Sequence, residues 1–207
     1  MAVRYLPEQG GQGFVDVIMT ATGERIALPG YLKINYLRTR NNRDYFIPYE
    51  GKWKNRELSI TRKPDGGSYL VYGYIRSAAQ VILNPAKANI WYGTGRNRVG
   101  PIFAQIDSSN QIPDGTYDLS VPDEAHRDYG EQYLSQSSYS MVWFPIPLDK
   151  DRDGRDDERF LHCGRVSEGC ATVRDLNYWT RIYKYLYNRR LRQGVVGTIT
   201  IDSRFAG

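Results

Sequence analysis

Alternating apolar and polar positions run through most of the first 120 residues and predict short β-strands separated by turns. The segments with this pattern are FVDVIMT (14–20), YLKINYL (31–37), ELSITR (57–62), SYLVYGYI (68–75), NIWYG (89–93), PIFAQI (101–106) and GTYDLSV (115–121). The PDGG sequence between the third and fourth segments predicts a hairpin connection. Strands at this spacing are typical of a sandwich or barrel.

The pattern changes after Pro122. Residues 123–140 are polar without a clear period and predict a long loop, a feature that often covers a functional site. Strand-like segments return at MVWFPI (141–146), where Trp143 and Phe144 are expected in the core, and at RFLHC (159–163).

A helical stripe begins near Val173. Apolar residues then recur at three- and four-residue spacing, which predicts one amphipathic helix. Thr172 followed by Asp175 resembles a capping box, and Gly194 matches a helix stop. The segment VVGTITID (195–202) predicts a last strand. The expected architecture is therefore mainly β, a sandwich or barrel with one substantial helix, preceded by an N-terminal β extension over residues 1–48.

Composition excludes few classes of protein. The formal charge of +5 is compatible with a solvated basic face, so no nucleic-acid partner is expected. A non-catalytic basic β module that binds cell-wall polymer or nucleic acid is the alternative function. No apolar run approaches the roughly 18 residues needed to cross a bilayer, so no membrane span is expected. The first residues also lack the apolar core of a secretory signal peptide.

The segment LHCGRVSEGC (161–170) contains one of the two histidines and both cysteines. A disulfide between Cys163 and Cys170 would close a short loop, but a chain of this length has little need of one. A zinc site would need a fourth ligand, for which His126 is the candidate. Successive strand residues point to opposite faces, which separates His162 from Cys163.

A nucleophilic cysteine accounts best for this segment. On a strand, Leu161 and Cys163 would face the core, whereas His162 would face a cleft. The following turn brings Cys170 back toward the imidazole. Gly169 permits an unusual backbone angle there, and a helix beginning just after Cys170 would favour its thiolate.

Three motifs together resemble the L,D-transpeptidase (YkuD-like) catalytic domain family. FLHCGRVSEGCATV resembles the family signature, in which a histidine on a strand precedes a Ser-x-Gly-Cys turn. IPDGTYDLSV (112–121) is similar to the Pro-x-Gly-x-Tyr strand opening of the family, and GTITI (197–201) to its last strand. The resemblance covers roughly residues 80–202 and implies a catalytic domain over residues 49–207.

The chain departs from the family pattern at three places. The spacing from His162 to Cys170 is short, Glu168 stands where many members have a second histidine, and Thr172 replaces an arginine. A compact branch that includes secreted antibacterial effectors is more similar. That likeness implies action in the bacterial periplasm or cell wall. The first residues lack a signal peptide, which is explained by export by another route, by delivery through a secretion machine or by prior removal of the signal peptide. An immunity protein is a further expected partner.

The resemblance also implies a reaction and a set of residues. Cys170 would attack peptidoglycan stem peptides to form a thioester, with His162 as base and Gly169 and Ser167 in the turn beside the sulfur. Transfer to an amine would give transpeptidation or D-amino-acid exchange, and transfer to water would give carboxypeptidase trimming. Arg165, His126 and Thr172 are assigned to substrate binding. No cofactor is required for this chemistry.

An acidic loop precedes the histidine strand. Asp149, Asp151, Asp153 and Asp157 occupy positions 1, 3, 5 and 9 of a calcium-binding loop, and Gly154 occupies position 6. Phe160 stands where the bidentate glutamate belongs, so the motif is incomplete. A structural Ca²⁺ ion and a solvated acidic loop are both compatible with this sequence.

Overall fold

The N-terminal part of the chain forms an antiparallel six-stranded sheet. The computed structural model describes residues 2–7, 12–148 and 158–207. The strands of this sheet are β1 (Ala2–Tyr5), β2 (Phe14–Met19), β3 (Arg25–Pro29), β4 (Lys33–Arg40), β5 (Arg43–Pro48) and β6 (Leu58–Thr61). They are ordered β1-β4-β5-β6-β2-β3, and β6 pairs with both β5 and β2. The sheet therefore includes a strand beyond residue 48.

A second sheet positions the candidate site residues. Its strands are β7 (Ala79–Asn84), β8 (Asn89–Tyr92), β9 (Val99–Gln105), β10 (Gly115–Ser120), β11 (Phe144–Pro147), β12 (Glu158–Cys163), β13 (Ala171–Val173) and β14 (Val195–Ile201). Their order is β10-β14-β7-β8-β9-β13-β12-β11, and the edge strands β10 and β11 contact each other, so the sheet is nearly a barrel. The prediction of a mainly β protein is confirmed.

The predicted hairpin over 57–62 and 68–75 is wrong in its second arm. Residues 68–75 form no strand, and only Val71 pairs, in an isolated bridge with Tyr5. The Tyr31 hydroxyl donates to the Tyr74 carbonyl oxygen and accepts from the Tyr74 N–H, both at 2.6 Å. A distant tyrosine thus takes up backbone groups that a strand ladder would otherwise use.

The predicted helix is present but shorter at both ends. It is α2 (Leu176–Leu186), with Asp175 as its N-cap accepting from the Asn177 N–H at 3.2 Å. Thr172 belongs instead to β13, and the helix ends before Gly194. The predicted apolar stripe is confirmed, because the buried face contains Leu176, Trp179, Ile182, Tyr183 and Leu186. No helix in the described ranges is both long and apolar enough to cross a membrane.

The predicted loop over 123–140 is compactly folded. It contains α1 (Arg127–Gly130) and a 3₁₀ turn over Glu131–Tyr133. The Ser140 hydroxyl donates to the Gly130 carbonyl oxygen at 2.8 Å, and the Trp179 indole N–H donates to the Tyr139 carbonyl oxygen at 2.8 Å. The segment is therefore fixed against α2 and forms a stable wall beside β12.

A buried ion pair joins the first sheet to the segment between α2 and β14. Arg190 Nη2 lies 2.6 Å from Glu50 Oε1, and both side chains are almost fully buried. Glu50 also accepts hydrogen bonds from the backbone N–H groups of Lys33 and Gly194. Because donors from the first sheet and from this segment converge on one carboxylate, this contact fixes the first sheet against the second.

Candidate active site

One cavity of roughly 370 Å³ opens between the 123–143 segment, β12 and the turn that follows β12. His162 and Cys170 both line it, as do His126 and Arg165. The remaining lining residues are Tyr129, Gln132, Tyr133, Trp143, Arg159, Phe160, Cys163, Gly164, Val166 and Glu168. The structure thus brings the predicted cysteine and histidine to the same cavity.

The strand alternation predicted for residues 160–163 is present. Leu161 and Cys163 belong to the hydrophobic core, although Cys163 also borders the cavity, whereas the side chains of Phe160 and His162 lie outside that core cluster and line the cavity. Burial raises the pKa of the Cys163 thiol to about 12. Both cysteines carry thiols rather than a disulfide. Cys163 is therefore a core residue with little thiolate, and Cys170 is the cysteine with the properties of a nucleophile candidate.

Both ring nitrogens of His162 have hydrogen-bonding partners. Nδ1 lies 3.0 Å from the Cys163 carbonyl oxygen, and Nε2 lies 3.0 Å from the Thr172 hydroxyl. A carbonyl oxygen only accepts, so Nδ1 carries the proton and Nε2 has the lone pair of the neutral ring. Burial lowers the pKa of His162 to about 4, so the ring is neutral near pH 7.

Cys170 is half-buried and directly precedes β13. Strand β13 runs parallel to β12, with Thr172 paired to His162. Residues two apart on a strand share a face, so Cys170 is directed toward the side occupied by Thr172 and the imidazole. The prediction that Cys170 lies at the N-terminus of the helix is wrong, because α2 begins only at Leu176. The helix dipole is therefore not a source of thiolate stabilisation.

The turn before Cys170 requires glycine at position 169. Gly169 has φ +100°, and a Cβ there would lie 2.4 Å from the Asn110 carbonyl oxygen and 2.8 Å from Arg159 Cζ. The Ser167 hydroxyl donates to the Cys170 carbonyl oxygen at 2.8 Å. Ser167 therefore holds the turn itself, and Gly169 makes room for the groups packed beneath it.

Thr172, which was assigned to substrate binding, is not among the residues that line the cavity. Its side chain is fully buried, and its hydroxyl contacts His162 Nε2 and, at 3.4 Å, the Val166 carbonyl oxygen. It therefore lies behind the imidazole, where it orients the ring. Arg165 is exposed at the rim of the cavity, and its carbonyl oxygen accepts from Arg174 at 2.7 Å.

An aromatic cluster forms the opposite wall. The Trp143 ring stacks on His126 at a centroid distance of 4.2 Å and on His162 at 4.0 Å. Phe160 makes edge contacts with His126 and Trp143 at 4.9 and 5.5 Å. Trp143 was expected in the core but is only partly buried and lines the cavity, whereas Phe144 is a core residue as predicted. Trp143 directly precedes β11, and successive residues of extended chain point to opposite sides, so Phe144 enters the core and Trp143 lies on the cavity side.

Two residues that support the turn before Cys170 were not identified from the sequence. Arg159 is buried, and its guanidinium donates to Asn110 Oδ1 at 2.7 Å and to the Glu168 carbonyl oxygen at 3.3 Å. Asn110 Nδ2 donates to the same carbonyl oxygen at 3.3 Å. In the sequence, a strand arginine and a loop asparagine resemble ordinary surface residues. The one nearby sign of close packing was the glycine at position 169.

The predicted calcium ligands Asp149, Asp151, Asp153 and Asp157 lie outside the described residues. Within residues 2–7, 12–148 and 158–207, no group of three or more histidine, cysteine, aspartate or glutamate side chains is arranged to hold a metal ion.

Comparison of the chain with protein-family models, curated proteins and solved structures finds no match. The function assigned to this chain consequently depends on the motifs of the sequence and the geometry of the cavity.

Proposed function

We propose that this protein is a cysteine enzyme that transfers acyl groups on peptidoglycan stem peptides, with an L,D-transpeptidase-like catalytic domain. The observation that carries the proposal is that Cys170 and His162, the two residues of the family-like motif, line one cavity. L,D-transpeptidation, D-amino-acid exchange and L,D-carboxypeptidase trimming all proceed through the same thioester. They differ only in the acceptor, which is an amine or water.

In the first step, the Cys170 sulfur attacks the carbonyl of the bond between meso-diaminopimelate and the terminal D-alanine. The thiol proton goes to His162 Nε2, the ring nitrogen that has a lone pair. The C–N bond then breaks, and the same proton leaves with the amine of D-alanine. The low pKa of the buried ring disfavours a stable thiolate–imidazolium pair, so the proton leaves the thiol as the sulfur attacks.

The Thr172 hydroxyl holds Nε2 in place and releases the lone pair of Nε2 to the thiol when it turns toward its second acceptor. In the neutral ring its hydroxyl donates to Nε2, and the Val166 carbonyl oxygen offers that hydroxyl a second acceptor. When the imidazole takes a proton, the hydroxyl hydrogen turns toward Val166, and the Thr172 oxygen accepts from Nε2–H. No heavy atom has to move between the two states, so the ring stays in position throughout.

The Gly169–Cys170 turn is suited to bind the oxyanion of the tetrahedral intermediate. Backbone N–H groups there adjoin the sulfur, and a glycine keeps side-chain atoms away from them. Loss of one such donor typically costs about 10²–10³ in rate. Periplasmic action, delivery as an effector, and secretion-machine or immunity-protein partners belong to this proposal through the family resemblance.

The test is to incubate the protein with purified tetrapeptide muropeptides and identify the products by mass spectrometry. We expect Cys170→Ala to abolish release or exchange of D-alanine, and Cys163→Ala to retain much of it, because Cys163 packs in the core. Equal loss in both variants, in folded protein, would contradict a single nucleophile. Salt-sensitive binding to wall polymer or nucleic acid that is indifferent to Cys170, without any product, would favour the non-catalytic basic module.

A further inference from the structure

The two histidines of the chain lie 36 positions apart in sequence, yet both stack on the same indole. The interplanar angles with Trp143 are 8° for His126 and 21° for His162, so each imidazole lies nearly flat on the ring. Both histidines also line the cavity that contains Cys170. A thioester mechanism has two half-reactions, acylation and deacylation, and each of them transfers a proton. Two imidazoles beside one nucleophile offer a separate base for each transfer.

The two imidazoles differ in how they are bonded. His162 is 5% exposed, and both of its ring nitrogens have partners. The His126 side chain is 16% exposed, and its Nε2 lies 3.2 Å from Asp123 Oδ1. Within the described part of the chain, the His126 ring makes no other hydrogen bond, which leaves Nδ1 without a protein partner. His126 is therefore the ring that has a nitrogen available to an incoming molecule.

Asp123 determines which ring nitrogen of His126 has the available lone pair. Burial would raise the pKa of Asp123, but hydrogen bonds from His126 and from the Glu124 N–H hold it below the usual range. The carboxylate only accepts, so Nε2 carries the proton and Nδ1 carries the lone pair. A base oriented by a third group in this way is the arrangement found around activated nucleophiles in general.

The backbone also holds His126 in place. Its N–H donates to the Met141 carbonyl oxygen at 3.1 Å, and its carbonyl oxygen accepts from the Gly130 N–H at 2.9 Å. His126 directly precedes α1 but its side chain makes no capping bond to that helix. A helix-capping role therefore does not explain why this histidine faces Asp123.

We propose that His126 is a second acid–base residue, oriented by Asp123, that serves the deacylation half-reaction, whereas His162 serves acylation. This inference rests on the proposed thioester at Cys170. In deacylation, an amine or a water attacks the thioester carbonyl and forms the new C–N or C–O bond. Its proton passes to His126 Nδ1, the C–S bond breaks, and the Cys170 thiolate leaves. The proton then returns to the sulfur, which restores the thiol and both neutral imidazoles.

The experiment separates the two half-reactions with an activated ester. Wild-type protein is loaded with an acetyl group from p-nitrophenyl acetate, excess ester is removed, and the Cys170 thioester is followed by intact-protein mass, with and without an added D-amino acid. His126→Phe keeps a ring that can stack on Trp143 but has no nitrogen. His126→Gln and Asp123→Asn are further variants, and the exposed Asp128→Asn on the same segment is the matched control.

We expect the His126 variants to load acetyl groups at nearly the wild-type rate but to lose the thioester about 100-fold more slowly, the usual contribution of a general base. Asp123→Asn should slow the loss to a smaller extent, and Asp128→Asn should match wild type. Unchanged thioester decay in folded His126→Phe and His126→Gln would overturn the inference. Loss of acetyl loading in these variants would overturn it too, because His126 would then serve the thiol.

The same design distinguishes failure of the inference from failure of the proposed function. If acetyl decay depends on His126 but tetrapeptides never acylate Cys170, the second base stands and the peptidoglycan substrate is wrong. If wild-type Cys170 forms no thioester even with the activated ester, both fail together.

Discussion

His162 shows how burial and hydrogen bonding set the properties of a single side chain. The imidazole ring stacks on Trp143, its Nε2 contacts the Thr172 hydroxyl, and its Nδ1 contacts the Cys163 carbonyl oxygen. Such a site excludes water, which lowers the pKa of the ring and fixes its tautomer. The result is a neutral imidazole in one orientation, suited to accept a proton transiently rather than to hold one.

This burial predicts a measurable pH dependence of stability. The unfolded chain binds a proton at His162 below about pH 6.5, but the folded chain binds it only below about pH 4. Between these values the unfolded state holds more protons, so the free energy of unfolding falls as the pH falls, by roughly 3 kcal/mol in total at this site.

His162→Asn removes the titrating group, so its free energy of unfolding should fall less steeply between pH 6.5 and 4 than that of wild type. Urea denaturation at several pH values gives the comparison. Carboxylates such as Asp123 titrate in both proteins, and the difference between the slopes therefore reports His162. Equal slopes would mean that this imidazole is solvated in the folded state.

At the residue scale, sequence predicted the side chains whose role follows from strand alternation. His162 and Cys163 fell on the expected faces because a strand has a period of two. Thr172 and Arg159 could not be assigned in this way, since their positions depend on the pairing of β13 with β12 and on a loop that supplies Asn110. Such contacts arise from tertiary structure, which a single sequence does not display.

At the element scale, the turn over residues 164–169 determines where the sulfur lies. Arg159 and Asn110 both donate hydrogen bonds to the Glu168 carbonyl oxygen of this turn. Within the turn, the Ser167 hydroxyl donates to the Cys170 carbonyl oxygen. Gly169 is the point where these contacts come closest to the backbone. The position of Cys170 is therefore set by packing against two other segments.

Gly169→Ala should displace this turn. Its Cβ would lie 2.4 Å from a backbone oxygen at a φ of +100°, so the turn must move, and a shift of about 1 Å can cost roughly 100-fold in rate. Gly66→Ala is the matched control, since Gly66 also has a positive φ of +79° but open space around it. D-alanine release and melting temperature should be measured for both.

We expect Gly169→Ala to lose most activity while remaining folded, and Gly66→Ala to retain activity with a small loss of stability from its backbone angle. Wild-type activity in Gly169→Ala would show that the observed turn geometry is not required for the reaction.

Sequence patterns predicted most strands but not every boundary. The 68–75 segment has strand composition, yet Tyr31 and Tyr5 take up its backbone groups. The start of α2 was misplaced because Thr172 and Asp175 both resemble helix caps, and the pairing of β13 with β9 and β12 assigns Thr172 to a strand. In each case a tertiary contact overrode a local preference.

At the scale of the whole molecule, the first sheet and the near-barrel share one hydrophobic core. The Glu50–Arg190 pair lies where they meet, and Arg190 also donates to the carbonyl oxygens of Tyr31 and Tyr187. Burial would raise the pKa of Glu50, but the hydrogen bonds and charge of Arg190 keep it below its usual value. The carboxylate is therefore ionised at neutral pH and ties the first sheet to the part of the molecule that contains Cys170.

Glu50→Gln should destabilise the fold strongly, because it leaves the Arg190 guanidinium buried without its counter-charge. Removal of one partner of a buried pair typically costs about 3–5 kcal/mol. Glu57→Gln breaks the exposed pair with Arg38 and should cost far less. Urea denaturation measures both, and a similar small loss in the two variants would show that the sheets are joined by apolar packing alone.

The proposed function requires that Cys170 forms a thioester with the stem peptide. The most direct measurement is to mix the protein with tetrapeptide muropeptide, quench in acid within seconds, and determine the mass of the intact protein and its peptides. We expect an adduct that has lost D-alanine, located on the peptide containing Cys170, present in Cys163→Ala and absent in Cys170→Ala. An adduct on Cys163, or turnover of the muropeptide by Cys170→Ala, would contradict it.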